Sequence, residues 1–103
     1  MQNKVKIFNE SMQNHISPMP CFARLLDIVS ELGEVSKEYL KATKYGAQPV
    51  EATEDFKLEF GDVLYSLLSL ANEMNIDAND ALDKVITKYQ NRLNRNGNLG
   101  SGR

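Results

Sequence analysis

With 103 residues, 42% of them apolar and 25% charged, the chain has the size and balance of one globular domain. A net charge of −2 excludes a general attraction to nucleic acid or anionic lipid, so an anionic ligand must be recruited locally, by a metal or by clustered basic residues. The single cysteine, Cys21, excludes an internal disulfide and a thiolate metal centre, and fits a reducing cytoplasm.

The opening stretch from Met1 to Phe8 lacks the apolar run of a signal peptide, and the greasiest segment, Val63 to Ala71, is too short and too serine-interrupted to cross a bilayer. Four helices are expected, with no competing strand, which makes the fold class all-α. The first, from about Asn3 to Gln13, carries Val5, Phe8 and Met12 at helical spacing. It ends before Ser17-Pro18-Met19-Pro20, because proline disfavours helix in the residue before it. His15 stands in this connection with no neighbouring aspartate and reads as a polar loop residue.

The second helix runs from about Pro20 to Lys44, with an apolar stripe of Leu25, Ile28, Val29, Leu32, Val35 and Tyr39, and Gly46 and Pro49 break it. The third starts near Thr53 or Glu54, where acids suit the positive end of the helix dipole, and continues to about Met74. Leu64, Leu67, Leu68 and Ala71 cover more than one stripe there, so this helix should be buried on several sides, by its own bundle or by a second copy. The expected architecture is a four-helix bundle completed by homo-oligomerisation. Asp77 and Asp80 resemble a capping box opening a fourth helix with Leu82, Val85, Ile86 and Tyr89 on its apolar face. Residues 1–95 form the expected single domain, and 96–103, rich in glycine, a flexible tail.

Two acidic pairs, Glu31-Leu-Gly-Glu34 and Glu59-Phe-Gly-Asp62, lie within these otherwise core-facing helices. A three-residue offset puts both carboxylates of a pair on one helix face, about 5–6 Å apart at Cβ, where they repel unless a cation lies between them. Asp27, Glu31, Glu34 and Glu38 extend the first pair into a row, and Asp55, Glu59, Asp62 and Ser66 extend the second. An isolated row of carboxylates is ordinarily a solvated face. Solvated faces mix signs, however, and these rows meet no basic partner before Lys41, while Asp62 opens the most apolar part of the chain. Two such helices face to face would offer Glu31, Glu34, Glu59 and Asp62 to a hard divalent cation, Mg²⁺ or Mn²⁺.

A basic row, Lys84, Lys88, Arg92 and Arg95, follows on the fourth helix, suited either to the negative end of the dipole or to phosphate capture. Lys44 is a lesser candidate for the same role. Gly33 and Gly61 inside the acidic motifs each cost about 1 kcal/mol of helix stability relative to alanine, which points to close backbone approach there.

The order Glu-x-x-Glu, linker, Glu-x-x-Asp-Val-Leu and then Lys88-x-x-x-Arg92 on consecutive helices resembles the all-α MazG-type nucleoside triphosphate pyrophosphohydrolases, over about Ala23 to Arg92. That resemblance implies cleavage of a nucleoside triphosphate between its α and β phosphates, to a monophosphate and pyrophosphate, with Mg²⁺ held by Glu31, Glu34, Glu59 and Asp62. It also implies Lys88 and Arg92 as phosphate contacts, Glu38 as a group that supports the ligands or positions water, and a homodimer or dimer of dimers. Family members often open the first motif with two adjacent glutamates; here Ser30 takes the preceding place. The alternative from another class is a non-catalytic helical interaction module that docks a basic partner on its acidic face.

Overall fold

The computed structural model describes residues 1–13, 21–49 and 51–96; of the expected 96–103 tail, Asn96 belongs to the fourth helix, and residues 97–103, like the expectations for His15, Pro18 and Pro20, lie outside the described residues. The described residues form four helices and no strand: α1 (Gln2–Ser11), α2 (Cys21–Ala42), α3 (Glu54–Glu73) and α4 (Ala78–Asn96). The cap chemistry is local. Thr53 Oγ1 accepts the Phe56 N–H at 3.1 Å to start α3, and Asp77 Oδ1 accepts the Asp80 N–H at 3.1 Å to start α4. Beyond α2 the chain turns through Lys44, Tyr45 and Gly46, all with positive φ. Buried Thr43 secures this turn: its hydroxyl donates back to the Tyr39 carbonyl and accepts the Gly46 N–H, each at 3.1 Å.

Helices α2 and α3 pair along their length, and α1 packs on α3. Both pairings are antiparallel, as cross-helix contacts show: Arg24 meets Glu73 at one end of α2–α3 while Tyr39 meets Phe56 at the other. Phe8 stands edge-on to Tyr65 with ring centroids 5.9 Å apart, and Asn9 bonds to both Tyr65 and Ser69. Gln2 ties the start of α1 to the α3–α4 corner, donating to the Ile76 carbonyl and accepting the Ala78 N–H. The core is small. Val5, Ile28, Leu68, Leu70 and Ala71 are its buried apolar members, with Ser66 and Ser69 buried among them.

The C-terminal half of α3 is therefore the best-covered segment, through Ser66 and Leu68 to Ala71, although Leu58, Phe60 and Leu67 of the same helix stay exposed. α2 and α4 are not covered. Leu25, Val29, Leu32 and Tyr39 of the α2 stripe are exposed, and so are Leu82, Val85, Ile86 and Tyr89 of α4, which scarcely touches the other helices. The radius of gyration is accordingly 17.0 Å, against about 13 Å for a compact domain of this length. Within one chain α1 and α2 pack on α3, and unpartnered apolar surface remains on α2 and α4 and also on α3, at Leu58, Phe60 and Leu67.

Candidate metal centre

The α2–α3 seam is polar along most of its length, because antiparallel pairing sets one acidic row against the other. From one end it runs through Arg24 with Glu73 at 3.4 Å and Asp27 with Ser66 at 2.7 Å, then through the facing acids. There Glu31 of α2 meets Glu59 and Asp62 of α3, with one carboxylate oxygen from each lying within 4.8 Å of the others. Glu31 and Glu59 are half-buried and Asp62 is exposed. The two acidic motifs thus converge on one volume from different helices.

The donor set fits a hard cation. Among the described residues no ion pair reaches these three carboxylates. Opposite ligand atoms around an octahedral ion with bonds near 2.1 Å lie about 4.2 Å apart, so small side-chain rotations bring the three oxygens into range. The electrostatics agree. Partial burial first, then the carboxylates of Asp62, Asp27, Glu59 and Glu34, push the Glu31 pKa up. Partial burial and then Asp62, Glu34, Glu38 and Asp55 do the same to Glu59. A bound cation would relieve this repulsion.

Not every candidate joins the cluster. Glu34 is exposed and outside the close group of three, near enough for its charge to act on Glu31 and Glu59. Glu38 is half-buried and accepts from Lys41 Nζ at 3.1 Å, a bond that raises the lysine pKa. Lys88 and Arg92 lie on α4. The Arg92 guanidinium rests 6.0 Å from the centre of the Tyr89 ring. α4, which follows a turn with Asn75 in the left-handed region, shares no extensive contact with α2 or α3, and among the described residues no ion pair joins the basic row to the carboxylates. Lys44 stands in the turn beyond α2 with φ 48°. Among the described residues Gly33 and Gly61 meet no neighbour within 4 Å of an added Cβ, so the expected close backbone approach is not found there.

Sequence reasoning placed Asp27 and Ser66 in their rows but missed that they bond to each other. It also missed Asn9, Gln2 and Asn72 as donors between elements, since a single polar residue on a helix carries no periodic signal of its partner. These last residues border a cavity of about 570 Å³ between α1 and the C-terminal half of α3, lined by Lys6, Gln13 and Asn75 among others. Ser69 and Glu73 line it too, on the α3 face that carries Glu59, Asp62 and Ser66.

Fold and seam together define an all-helical protein with a carboxylate cluster suited to a divalent cation. Residues 23–96 match the sequence profile of the MazG nucleotide pyrophosphohydrolase domain, and the chain belongs to that family. It is 40% identical over 83 residues to the uncharacterised protein YpjD of Bacillus subtilis (strain 168), an alignment covering 78% of this chain and 70% of YpjD. It is also 29% identical over 79 residues to the Gene 37 protein of Mycobacterium phage L5, covering 75% of this chain and 69% of the phage protein. No solved structure matches the chain. No helix of the described residues is long and apolar enough to cross a membrane.

Proposed function

We propose that the chain is a Mg²⁺-dependent hydrolase of (deoxy)nucleoside triphosphates, yielding the monophosphate and pyrophosphate, and that it serves to clear unwanted nucleotides from the reducing cytoplasm. The observation that carries this reading is the convergence of Glu31, Glu59 and Asp62 within 4.8 Å in a chain of the MazG family. Glu34 is the fourth ligand, reached by rotation of its exposed side chain. Glu31, Glu34, Glu59 and Asp62 would hold Mg²⁺ or Mn²⁺ there, which when bound would neutralise charge on the triphosphate and lower the pKa of the attacking water. A carboxylate of the rows not engaged with the cation, Glu38 included, orients that water and accepts its proton. Partial burial of Glu31 and Glu59 strengthens these interactions by limiting solvent screening. The amide-lined cavity beside Ser69 offers donors and acceptors to the nucleoside end.

Residues 1–95 work as one unit, and a second copy completes it as a homodimer or dimer of dimers. The exposed stripes of α2 and α4 are the surfaces that association buries, and it brings Lys88 and Arg92 to the phosphates. Replacing either by alanine lowers kcat/KM by about 1.5–3 kcal/mol, the worth of a hydrogen bond to a charged group. Lys84→Ala matters less, because Lys84 is paired with Asp80 on its own helix at 3.0 Å.

A panel of canonical and modified triphosphates assayed for pyrophosphate release in ¹⁸O-labelled water tests the reaction, with label expected in one product and pyrophosphate released intact. Stepwise orthophosphate would rule out α,β-cleavage. Calorimetric titration with Mg²⁺ separates the enzyme from a docking module: a built site binds saturably and loses that binding in Glu59→Ala, whereas an acidic docking face shows only weak, salt-screened association.

A further inference from the structure

Ser66 is 3% exposed, and its hydroxyl donates to Asp27 Oδ2 at 2.7 Å across the α2–α3 seam. A hydroxyl buried between helices costs stability unless it is bonded, and an apolar side chain of similar volume fills such a place without needing a partner. The bond to a carboxylate is charge-assisted, and unlike apolar packing it has a direction. Its position gives that direction a use. Asp27 stands one turn before Glu31 on α2, and Ser66 one turn after Asp62 on α3. One bond therefore fixes both the rotation and the axial register of the two helices at the level adjoining the carboxylate cluster.

The cluster needs that register. Its ligand atoms lie within 4.8 Å of one another, and an octahedral Mg²⁺ or Mn²⁺ site spans only about 4.2 Å, which leaves little room for slippage. A slip of an ångström between α2 and α3 would separate Glu31 from Glu59 and Asp62. The neighbouring links do less. Arg24 and Glu73 meet at a looser 3.4 Å near the end of the seam, and Asn9 bonds Ser69 from α1, not from α2.

We infer that Asp27 and Ser66 are positioning residues for the metal centre: the Ser66 hydroxyl, through Asp27, holds α2 and α3 in the register that sets Glu31 against Glu59 and Asp62. The inference rests on the cation reading proposed above. Asp27 also keeps a negative charge beside Glu31, one of those that push its pKa up, and so adds to the potential that draws a cation in.

Mn²⁺ titration of the full chain, followed by calorimetry with helicity checked by circular dichroism, tests it without recourse to turnover. Ser66→Ala should weaken Mn²⁺ binding by about tenfold at unchanged helicity, the low end of the cost of losing a partner bonded directly to a metal ligand, because Ser66 acts one contact further out. Ser66→Thr, which restores the hydroxyl, should recover the wild-type affinity. Asp27→Asn retains an acceptor oxygen without the charge and should fall between wild type and Asp27→Ala, which has neither. Wild-type affinity in Ser66→Ala, or equal affinity in Asp27→Asn and Asp27→Ala, would overturn the inference while leaving the metal centre standing. The Asp27 pair decides the matter even if Ser66→Ala fails to fold. Wild-type protein with no saturable Mn²⁺ binding would remove the cation reading and this inference with it.

Discussion

The α2–α3 seam and helix α4 are opposite answers to the same amphipathic pattern. α2 and α3 are held face to face by Arg24–Glu73, Asp27–Ser66 and the packing around Ile28 and Leu68, and the carboxylates they carry converge. α4 has as clear an apolar stripe, with Leu82, Val85, Ile86 and Tyr89 in register, yet among the described residues it lies against almost nothing. The contrast shows that helical periodicity fixes which face will be covered and leaves open whether the cover belongs to the same chain.

The largest effects should fall on the seam. Removing a carboxylate from the cluster by Glu59→Ala, Asp62→Ala or Glu31→Ala should lower turnover by about 10²–10³-fold, since metal stabilisation of transition-state charge is worth several kcal/mol. Helicity should be intact, because none of the three is in a cross-helix ion pair. Two such variants with near wild-type rates at saturating Mg²⁺ would break the seam's half of the comparison.

The unpartnered stripe of α4 is tested by a charge placed on it. Ile86→Asp places a charge on the exposed stripe, where it costs little in a lone chain but several kcal/mol in an interface that desolvates it. Sedimentation equilibrium should show wild type as a dimer or tetramer at micromolar concentration and the variant as a monomer with native helicity. A monomeric wild type would leave the α4 stripe with no role in association.

A smaller effect concerns pH. Glu31 and Glu59 hold their protons more tightly in the folded chain than in the unfolded one, first through partial burial and then through their acidic neighbours. A raised folded pKa in an acid means that the charged pair destabilises the fold above that pKa, and the penalty is relieved as pH falls through it. Metal-free protein should therefore gain stability from these two groups between neutrality and the mildly acidic range, against the loss from carboxylates that are paired. Comparing denaturant midpoints of wild type and Glu59→Gln across pH isolates the contribution. Saturating Mg²⁺ should reverse its slope, since cation binding requires the deprotonated ligands. Parallel pH profiles for wild type and Glu59→Gln would show that the acids do not repel.

The smallest effect is at the glycines. Gly33 and Gly61 have open space where a Cβ would stand, so alanine at either should stabilise the fold by about 1 kcal/mol through helix propensity alone. Destabilisation by Gly61→Ala in the oligomer would reveal a neighbour supplied by a second copy.

Much of this was legible in the residues themselves. Helix order follows from period-3.6 apolar spacing, and the starts of α3 and α4 from Thr53 and Asp77, because caps and amphipathic faces are local properties. The acidic pairs were legible too, since offsets of three place carboxylates on one face. What lay beyond the sequence was every relation between helices. That Glu31 meets Glu59 and Asp62 while Glu34 stays outside, and that Glu38 turns to Lys41, depends on the rotation of α2 against α3. That Ser66 and Ser69 are buried while Leu67 is exposed depends on which side of α3 the other two helices occupy. That α4 shares no extensive contact with α2 or α3, and that no ion pair among the described residues joins Lys88 and Arg92 to the acids, depends on how the chain leaves α3. The physical reason is the same in each case: a sequence specifies local periodicity through short-range sterics and hydrogen bonds, whereas register between helices is set by non-local packing that no single segment encodes.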